Sequence, residues 1–129
     1  VNLVDSSGWL EFLANAPGAD FFAPAIEEVD RLLVPQICIL EVVRLIHRQR
    51  GEEAAIRILT QMKQGRVVVL TDSIILSAAR LAQEHRLPLA DSVILATARA
   101  YGAVVWTQDA DFEGLDGVKY TPKRHFRSS

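Results

Sequence analysis

Short apolar runs alternate along this chain with longer amphipathic stretches. Asn2-Leu3-Val4, Leu32-Leu33-Val34, Val67-Val68-Val69-Leu70 and Ala103 to Trp106 are too short for helices and read as buried strands. The β-branched run from Val67 is continuous, which predicts a strand covered on both faces. Val118-Lys119-Tyr120 fits a last, edge strand. Between these, Ser6 or Ser7 is placed to cap a helix carrying Trp9, Leu10, Phe12 and Leu13, ended by Pro17-Gly18, and Ala23 to Val29 forms a second helical segment. From Gln36, Ile39, Leu40, Val43 and Ile46 recur at helical spacing with Arg44 and Arg48 turned away, until Gly51 breaks the pattern. Glu52 to Lys63 reads as another amphipathic helix, Asp72 as the cap of Ser73 to His85, and Ala90 to Tyr101 as a helix after Pro88 that Gly102 stops. Strands alternating with helices predict an α/β sandwich with a mainly parallel sheet.

The chain has 129 residues, half of them apolar, enough for one buried core and a single domain over 1–129 whose end, from about 119, is a basic tail. A net charge of −2 does not announce a polyanion binder. The distribution says more, because Lys119, Lys123, Arg124, His125 and Arg127 crowd the tail and Arg44, His47, Arg48 and Arg50 form a second cluster able to steer a polyanion. The lone cysteine, Cys38, excludes an internal disulfide and reads as a small core residue, which fits a reducing cytoplasm. No stretch is long and apolar enough to span a bilayer and no signal peptide is visible, so a cytoplasmic protein without membrane contact is expected.

The acids carry the candidate chemistry. Asp5 follows the first strand, Asp109 and Asp111 follow the fourth, Asp91 lies in the first turn of an apolar helix, and Glu41 sits on the helix after the second strand. Open parallel sheets bind ligands beyond the carboxyl ends of their strands, so these acids are directed to one rim. Each has an ordinary use as well. Asp91 complements a helix dipole, Asp109 and Asp111 suit Asx turns, and Glu41 has Arg44 three residues on. Convergence would be costly, since two like charges ~4 Å apart repel by about 4 kcal/mol at an effective dielectric of 20. Either carboxyls stay protonated or a cation lies among them. All-oxygen ligands favour Mg²⁺ or Mn²⁺ over zinc, and His47, His85 and His125 are too scattered to form a ligand pair.

Four segments then resemble, in order and spacing, the motifs of PIN-domain ribonucleases, and specifically the toxins of VapBC-type toxin–antitoxin pairs. Val4-Asp5-Ser6-Ser7 resembles the opening Asp-Thr/Ser-Ser element, and Leu40-Glu41-Val42 holds the mid-chain glutamate. Leu89 to Ala98 matches the element around the third acid, and Thr107-Gln108-Asp109-Ala110-Asp111-Phe112 matches the Thr-x-Asp-x-Asp-Phe ending. Ser6 stands where the family often has Thr, a departure that touches no acid. The resemblance implies a three-layer α/β/α sandwich and a divalent-metal-dependent endoribonuclease. Asp5, Glu41, Asp91 and Asp109 would form its acidic quartet, Asp111 an accessory acid, with Ser7 and Thr107 positioning carboxylates and waters. It also implies a small antitoxin with a DNA-binding domain, and a homodimer.

On that basis Asp5, Asp91 and Asp109 are expected to hold Mg²⁺ (or Mn²⁺), with Glu41 positioning or deprotonating the attacking water and Asp111 available to a second ion. RNA as substrate follows from the resemblance. Trp9, Phe12, Phe21 and Phe22 read equally as core or as an antitoxin-binding groove together with Val42 to Ile46. A non-catalytic PIN-like regulator that binds RNA or antitoxin is the alternative. A phosphatase of the haloacid-dehalogenase type would want a second Asp two residues after Asp5, where Ser7 stands.

Overall fold

A computed structural model describes residues 1–124; His125 and Arg127, counted above in the basic tail, lie outside the described residues. Five strands form one sheet in the order β3-β2-β1-β4-β5: β1 (Asn2–Val4), β2 (Leu32–Pro35), β3 (Arg66–Val68), β4 (Val104–Thr107) and β5 (Val118–Tyr120). Every pairing is parallel, so the expected sheet is parallel throughout, not mainly so. Six helices flank it in a three-layer α/β/α arrangement: α1 (Ser6–Leu13), α2 (Ala19–Glu27), α3 (Gln36–Arg50), α4 (Glu52–Met62), α5 (Asp72–His85) and α6 (Leu89–Tyr101). None of the described helices is long and apolar enough to cross a membrane.

The strand order locates the site. From β1 the chain steps outward through β2 to β3, then returns to place β4 on the other side of β1 and β5 beyond it. The order therefore reverses between β1 and β4, and in a parallel sheet the connections leave a crevice at the carboxyl ends of two such strands. Val4 pairs with Trp106, so Asp5 emerges beside Thr107.

The core is built from Leu3, Val4, Val34 and Val105 of the sheet with Trp9, Phe22, Val42, Met62, Ile94 and Phe112 packed on it. Gly8 is required where α1 crosses β1, because a Cβ there would meet the Phe22 ring at 2.6 Å and Val4 Cγ1 at 2.7 Å. Trp9, Phe22, Val42 and Ile46 are buried in this core, whereas Phe12, Phe21 and Val43, also weighed above for an antitoxin groove, are half-buried against it.

Several boundaries differ from the sequence reading. Asp5, not Ser6 or Ser7, caps α1 by accepting from the Gly8 amide at 2.9 Å. Thr71, not Asp72, caps α5, its hydroxyl accepting from the Ile74 amide at 3.3 Å. Helix α2 begins at Ala19, well before Ala23, and carries Pro24 inside; the proline withdraws a donor only from the turn begun by exposed Asp20. Strand β3 is an edge strand and ends at Val68. Val69 and Leu70 are half exposed, because no further strand covers that side. Lys119 is part of β5, where its ammonium lies 4.4 Å from the Trp106 ring centroid.

Candidate active site

Three carboxylates meet at the carboxyl edge of the sheet. Oxygens of Asp91, Asp109 and Asp111 lie within 4.8 Å of one another, Asp91 buried, Asp109 half-buried and Asp111 exposed. Two chain segments supply them. Asp91 is the third residue of α6, and Asp109 and Asp111 belong to the loop and short 3₁₀ turn (Ala110–Phe112) after β4. Asp109 shapes its own loop, since its Oδ1 accepts from the Asp111 amide at 2.9 Å. The Asx-turn use of Asp109 and the convergence of the acids thus coexist in one residue.

Asp91 is held differently. No side chain caps α6, whose N-cap is Pro88, and the Asp91 carboxyl does not bond the free amides of the first turn. Burial, then the neighbouring charge of Asp109, a hydrogen bond to Asp109, and the charges of Asp5 and Asp111 push it up to about 8. Burial and like charge thus disfavour the ionised form of this carboxyl, and a cation among the acids would favour it.

Asp5 lies outside the 4.8 Å group but in its field, since its charge raises Asp91 and Asp109 in turn raises Asp5. Its oxygens are occupied by the protein. Oδ1 accepts from Ser7 Oγ at 2.7 Å and from the Gly8 amide, and Oδ2 accepts from Thr107 Oγ1 at 2.6 Å. Thr107 Oγ1 itself accepts from the Asp109 amide at 2.9 Å, so one hydroxyl ties the end of β1 to the acid-bearing loop. Burial lifts Asp5 to about 6 despite these donors.

Glu41 is exposed on the second turn of α3 and also stands outside the 4.8 Å group. Arg44 does not pair with it among the described residues; instead Ser6 Oγ donates to Glu41 Oε1 at 2.6 Å, joining α1 to α3. Beneath the site lies Cys38, fully buried, its thiol pushed up by burial first and then by the charges of Asp5, Glu41 and Asp91. The structure therefore brings Asp91, Asp109 and Asp111 within ligand distance of one another in place of the expected Asp5, Asp91 and Asp109, ties Asp5 to the same loop through Thr107, and leaves Glu41 outside the group, bonded to Ser6 next to Asp5.

Sequence reasoning passed over a second polar layer. Glu11, buried on α1, accepts from the Gly18 amide at 2.7 Å and from Gln108 Nε2 at 3.1 Å. Its signal was a carboxylate inside the apolar stretch Trp9 to Leu13, on the helix face it shares with Ser7. Ser6 was visible as a candidate cap and as a departure from a motif, and its bond to a residue 35 positions away had no local sign.

An all-oxygen set of three carboxylates fits a hard divalent cation. Comparison with known proteins agrees with the fold. No curated protein sequence matches the chain significantly. Among solved structures, it is similar to a toxin–antitoxin complex from Klebsiella pneumoniae at a TM-score of 0.82 and 22% identity, over 97% of this chain and 100% of that one. It is also similar to VapC20 of Mycobacterium tuberculosis, a sarcin–ricin-loop-cleaving toxin, at 0.71 and 20% over 87% and 92% of the two chains. VapBC-1 of nontypeable Haemophilus influenzae matches at 0.73 and 18% over 94% and 96%. The family profile of the PIN domain matches residues 3–118, and with the acids and topology in place the chain belongs to the PIN domain family.

Proposed function

We propose that this protein is a divalent-metal-dependent endoribonuclease, the toxin of a toxin–antitoxin pair. The observation that carries the reading is the Asp91–Asp109–Asp111 cluster at the β1/β4 switch point, where burial and neighbouring charge raise the Asp91 carboxyl and a cation would relieve both. The neighbouring folds support the biological role, because the solved structures it resembles include toxins of VapBC pairs.

In this reading Asp91 and Asp109 hold Mg²⁺ or Mn²⁺, Asp5, outside the 4.8 Å group, would reach the ion through water, and Asp111 is an accessory ligand. The bound ion would polarise a phosphoryl oxygen and favour ionisation of an attacking water. The rest is work for the chain itself. Ser7 and Thr107 fix the Asp5 carboxylate through their hydroxyls, so its orientation is set before substrate arrives. Thr107 also orders the Asp109 amide, which holds the acid-bearing loop against β1. Glu41, steadied by Ser6 and open to water, is the group placed to take a proton from the nucleophile. Products would carry 5′-phosphate and 3′-hydroxyl ends. RNA is the substrate, a small DNA-binding antitoxin the inhibitor, and the cytoplasm the place of action.

A partner surface is available for assembly. An apolar groove of about 520 Å³ runs between α3, α4 and β3, with Leu40, Leu59, Val69 and Leu70 exposed along it. We assign it to subunit or antitoxin contact, consistent with a homodimer.

The deciding experiment is cleavage of total RNA by the purified chain with Mg²⁺ or Mn²⁺, repeated with EDTA and with Asp91→Asn. Metal-dependent cleavage lost in Asp91→Asn by at least about a hundredfold is expected. Undiminished cleavage by the variant removes the acid cluster from the chemistry. RNA binding without any cleavage favours the regulator alternative.

A further inference from the structure

Glu11 is a buried acid with no place in the metal cluster, only 6% exposed. No cation pairs with it among the described residues. Its carboxylate is held by two neutral donors, the Gly18 amide at 2.7 Å on Oε2 and Gln108 Nε2 at 3.1 Å on Oε1. Burying a carboxylate on neutral donors is costly, so the position calls for a reason beyond filling the core. That reason lies in what Gln108 adjoins. It stands between Thr107 and Asp109, at the root of the loop that carries two of the three clustered acids.

Helix α1 grips Gln108 twice. Ser7 and Glu11 are one turn apart on the same face; Ser7 Oγ accepts from the Gln108 backbone amide at 3.3 Å, while Glu11 takes the side-chain amide. Ser7 Oγ in turn donates to Asp5, which the Thr107 hydroxyl also reaches, and Thr107 Oγ1 accepts from the Asp109 amide. These bonds close a ring from Asp5 through Ser7 to Gln108, along the chain to Asp109, and back through Thr107. Glu11 braces the ring from outside and fastens it to the start of α2. Buried Phe112 anchors the far end of the turn, so Asp109 and Asp111 lie between two fixed points. Gly18 is shaped to the same brace. Its φ of −91° suits other residues as well, so conformation does not demand glycine. Space does, because a Cβ there would stand 2.9 Å from Glu11 Oε2 and 3.3 Å from Gln108 Oε1.

We infer that Glu11 is a positioning residue of the metal centre, which through Gln108 fixes the loop so that Asp109 and Asp111 stand within ligand reach of Asp91 before a cation arrives. The inference rests on the metal-dependent nuclease reading for the identity of the ligand as a hard dication. Asp91 is carried by α6, which packs against α5, so only the loop can bring the other two acids to it. Like charges drive the empty cluster apart. Once the brace is loosened, the carboxylates separate and a cation must gather them again. That cost appears as lost affinity, the usual result of removing a group that orients metal ligands.

The full chain is titrated with Mn²⁺ while the free aquo ion is followed by electron paramagnetic resonance, and a melting curve accompanies each variant. Glu11→Ala and Gln108→Leu are each expected to weaken Mn²⁺ binding by about tenfold. Gly18→Ala, whose methyl displaces the Glu11 carboxylate without deleting it, is expected to weaken it less. Glu11→Gln is expected to bind within about twofold of the wild type, because an amide can keep the bridge. Its oxygen still accepts from the Gly18 amide, and its nitrogen donates to Gln108 Oε1 once that amide turns over, an oxygen with no partner among the described residues of the wild type. Met62→Ala is the control, in the core just before β3 and so at the opposite edge of the sheet; it should melt lower and bind Mn²⁺ as the wild type does. A Glu11→Ala or Gln108→Leu protein that melts lower yet keeps its Mn²⁺ affinity shows a role in the fold alone and overturns the inference. So does equal weakening in Met62→Ala, or a Glu11→Gln protein as weak as Glu11→Ala, since charge and not the bridge would then set the affinity. Should Glu11→Ala fail to fold, unchanged affinity in Gly18→Ala has the same force. The two readings fail separately. Mn²⁺ binding that Asp91→Asn abolishes and no brace variant alters would sink the positioning role alone, whereas a wild type without affinity for Mn²⁺ would sink the metal-dependent reading and this inference together.

Discussion

Asp5 and Asp91 are both buried acids at one rim, yet the chain treats them in opposite ways. Asp5 receives three hydrogen bonds from Ser7, Gly8 and Thr107, and caps a helix. Asp91 receives no cap interaction and is surrounded by like charge. The first carboxylate is integrated into the fold and then lent to the site. The second has only its place in the first turn of α6, with no capping bond, to set against its desolvation. Conflict between local energetics and residue choice marks a functional position, and by that measure Asp91 points to a ligand more strongly than Asp5 does.

The sharpest way to break this contrast is truncation. Asp5→Ala leaves the buried Thr107 hydroxyl and the Gly8 amide without their acceptor, and is expected to destabilise the protein by about 2–3 kcal/mol in urea unfolding. Asp91→Asn is expected to be neutral or stabilising above pH 7, because it removes repulsion and orphans no donor. Equal losses in the two variants would refute the distinction.

A pH series in chelator sharpens it further. Burial raises both folded-state carboxyls above the ordinary value near 4, so the native chain binds more protons than the unfolded one across that interval. Stability should therefore be greatest below about pH 4 as far as these two groups are concerned, and decline as pH rises to about 6 through Asp5 and to about 8 through Asp91. Thermal melting should show the upper part of the decline vanish in Asp91→Asn. Added Mg²⁺ should raise the melting temperature more at pH 8.5 than at pH 5, and an equal rise at both would contradict the proton–cation exchange.

The smallest stability effect belongs to the opposite kind of region. Leu40 is 63% exposed and Leu70 50%, on a flank where apolar surface faces water. Leu40→Glu and Leu70→Lys should change unfolding free energy by no more than about 0.5 kcal/mol, since neither side chain is packed in the core. Each should nonetheless abolish self-association in sedimentation if this groove joins two subunits. Unaltered oligomers would assign the flank to another partner.

The comparison also shows what sequence patterns convey. The parallel α/β class, the strand starts and the acids after β1 and β4 were legible because alternating short apolar runs and helical periods are local properties. The cap of α1 was misplaced by one or two residues because Asp5 serves two purposes, and strand-end position advertised only one. Val67 to Leu70 was misread as a doubly covered strand for a related reason. Its apolar character reflects a groove beside an edge strand, and a run of β-branched residues looks the same in either setting.

Glu11, Gln108 and Ser6 lay beyond such reading. Their partners are Gly18, Glu11 and Glu41, and two of these bonds span 35 and 97 positions. Periodicity, propensity and motif order are written along the chain, so residue types alone conveyed the fold class and the family and singled out the candidate acids. Whether Asp91, Asp109 and Asp111 would approach within reach of one ion, while Asp5 was turned toward Ser7 and Thr107, depended on the reversal of strand order between β1 and β4. Carboxylate separation and desolvation exist only once distant segments pack, and only the folded chain could decide them.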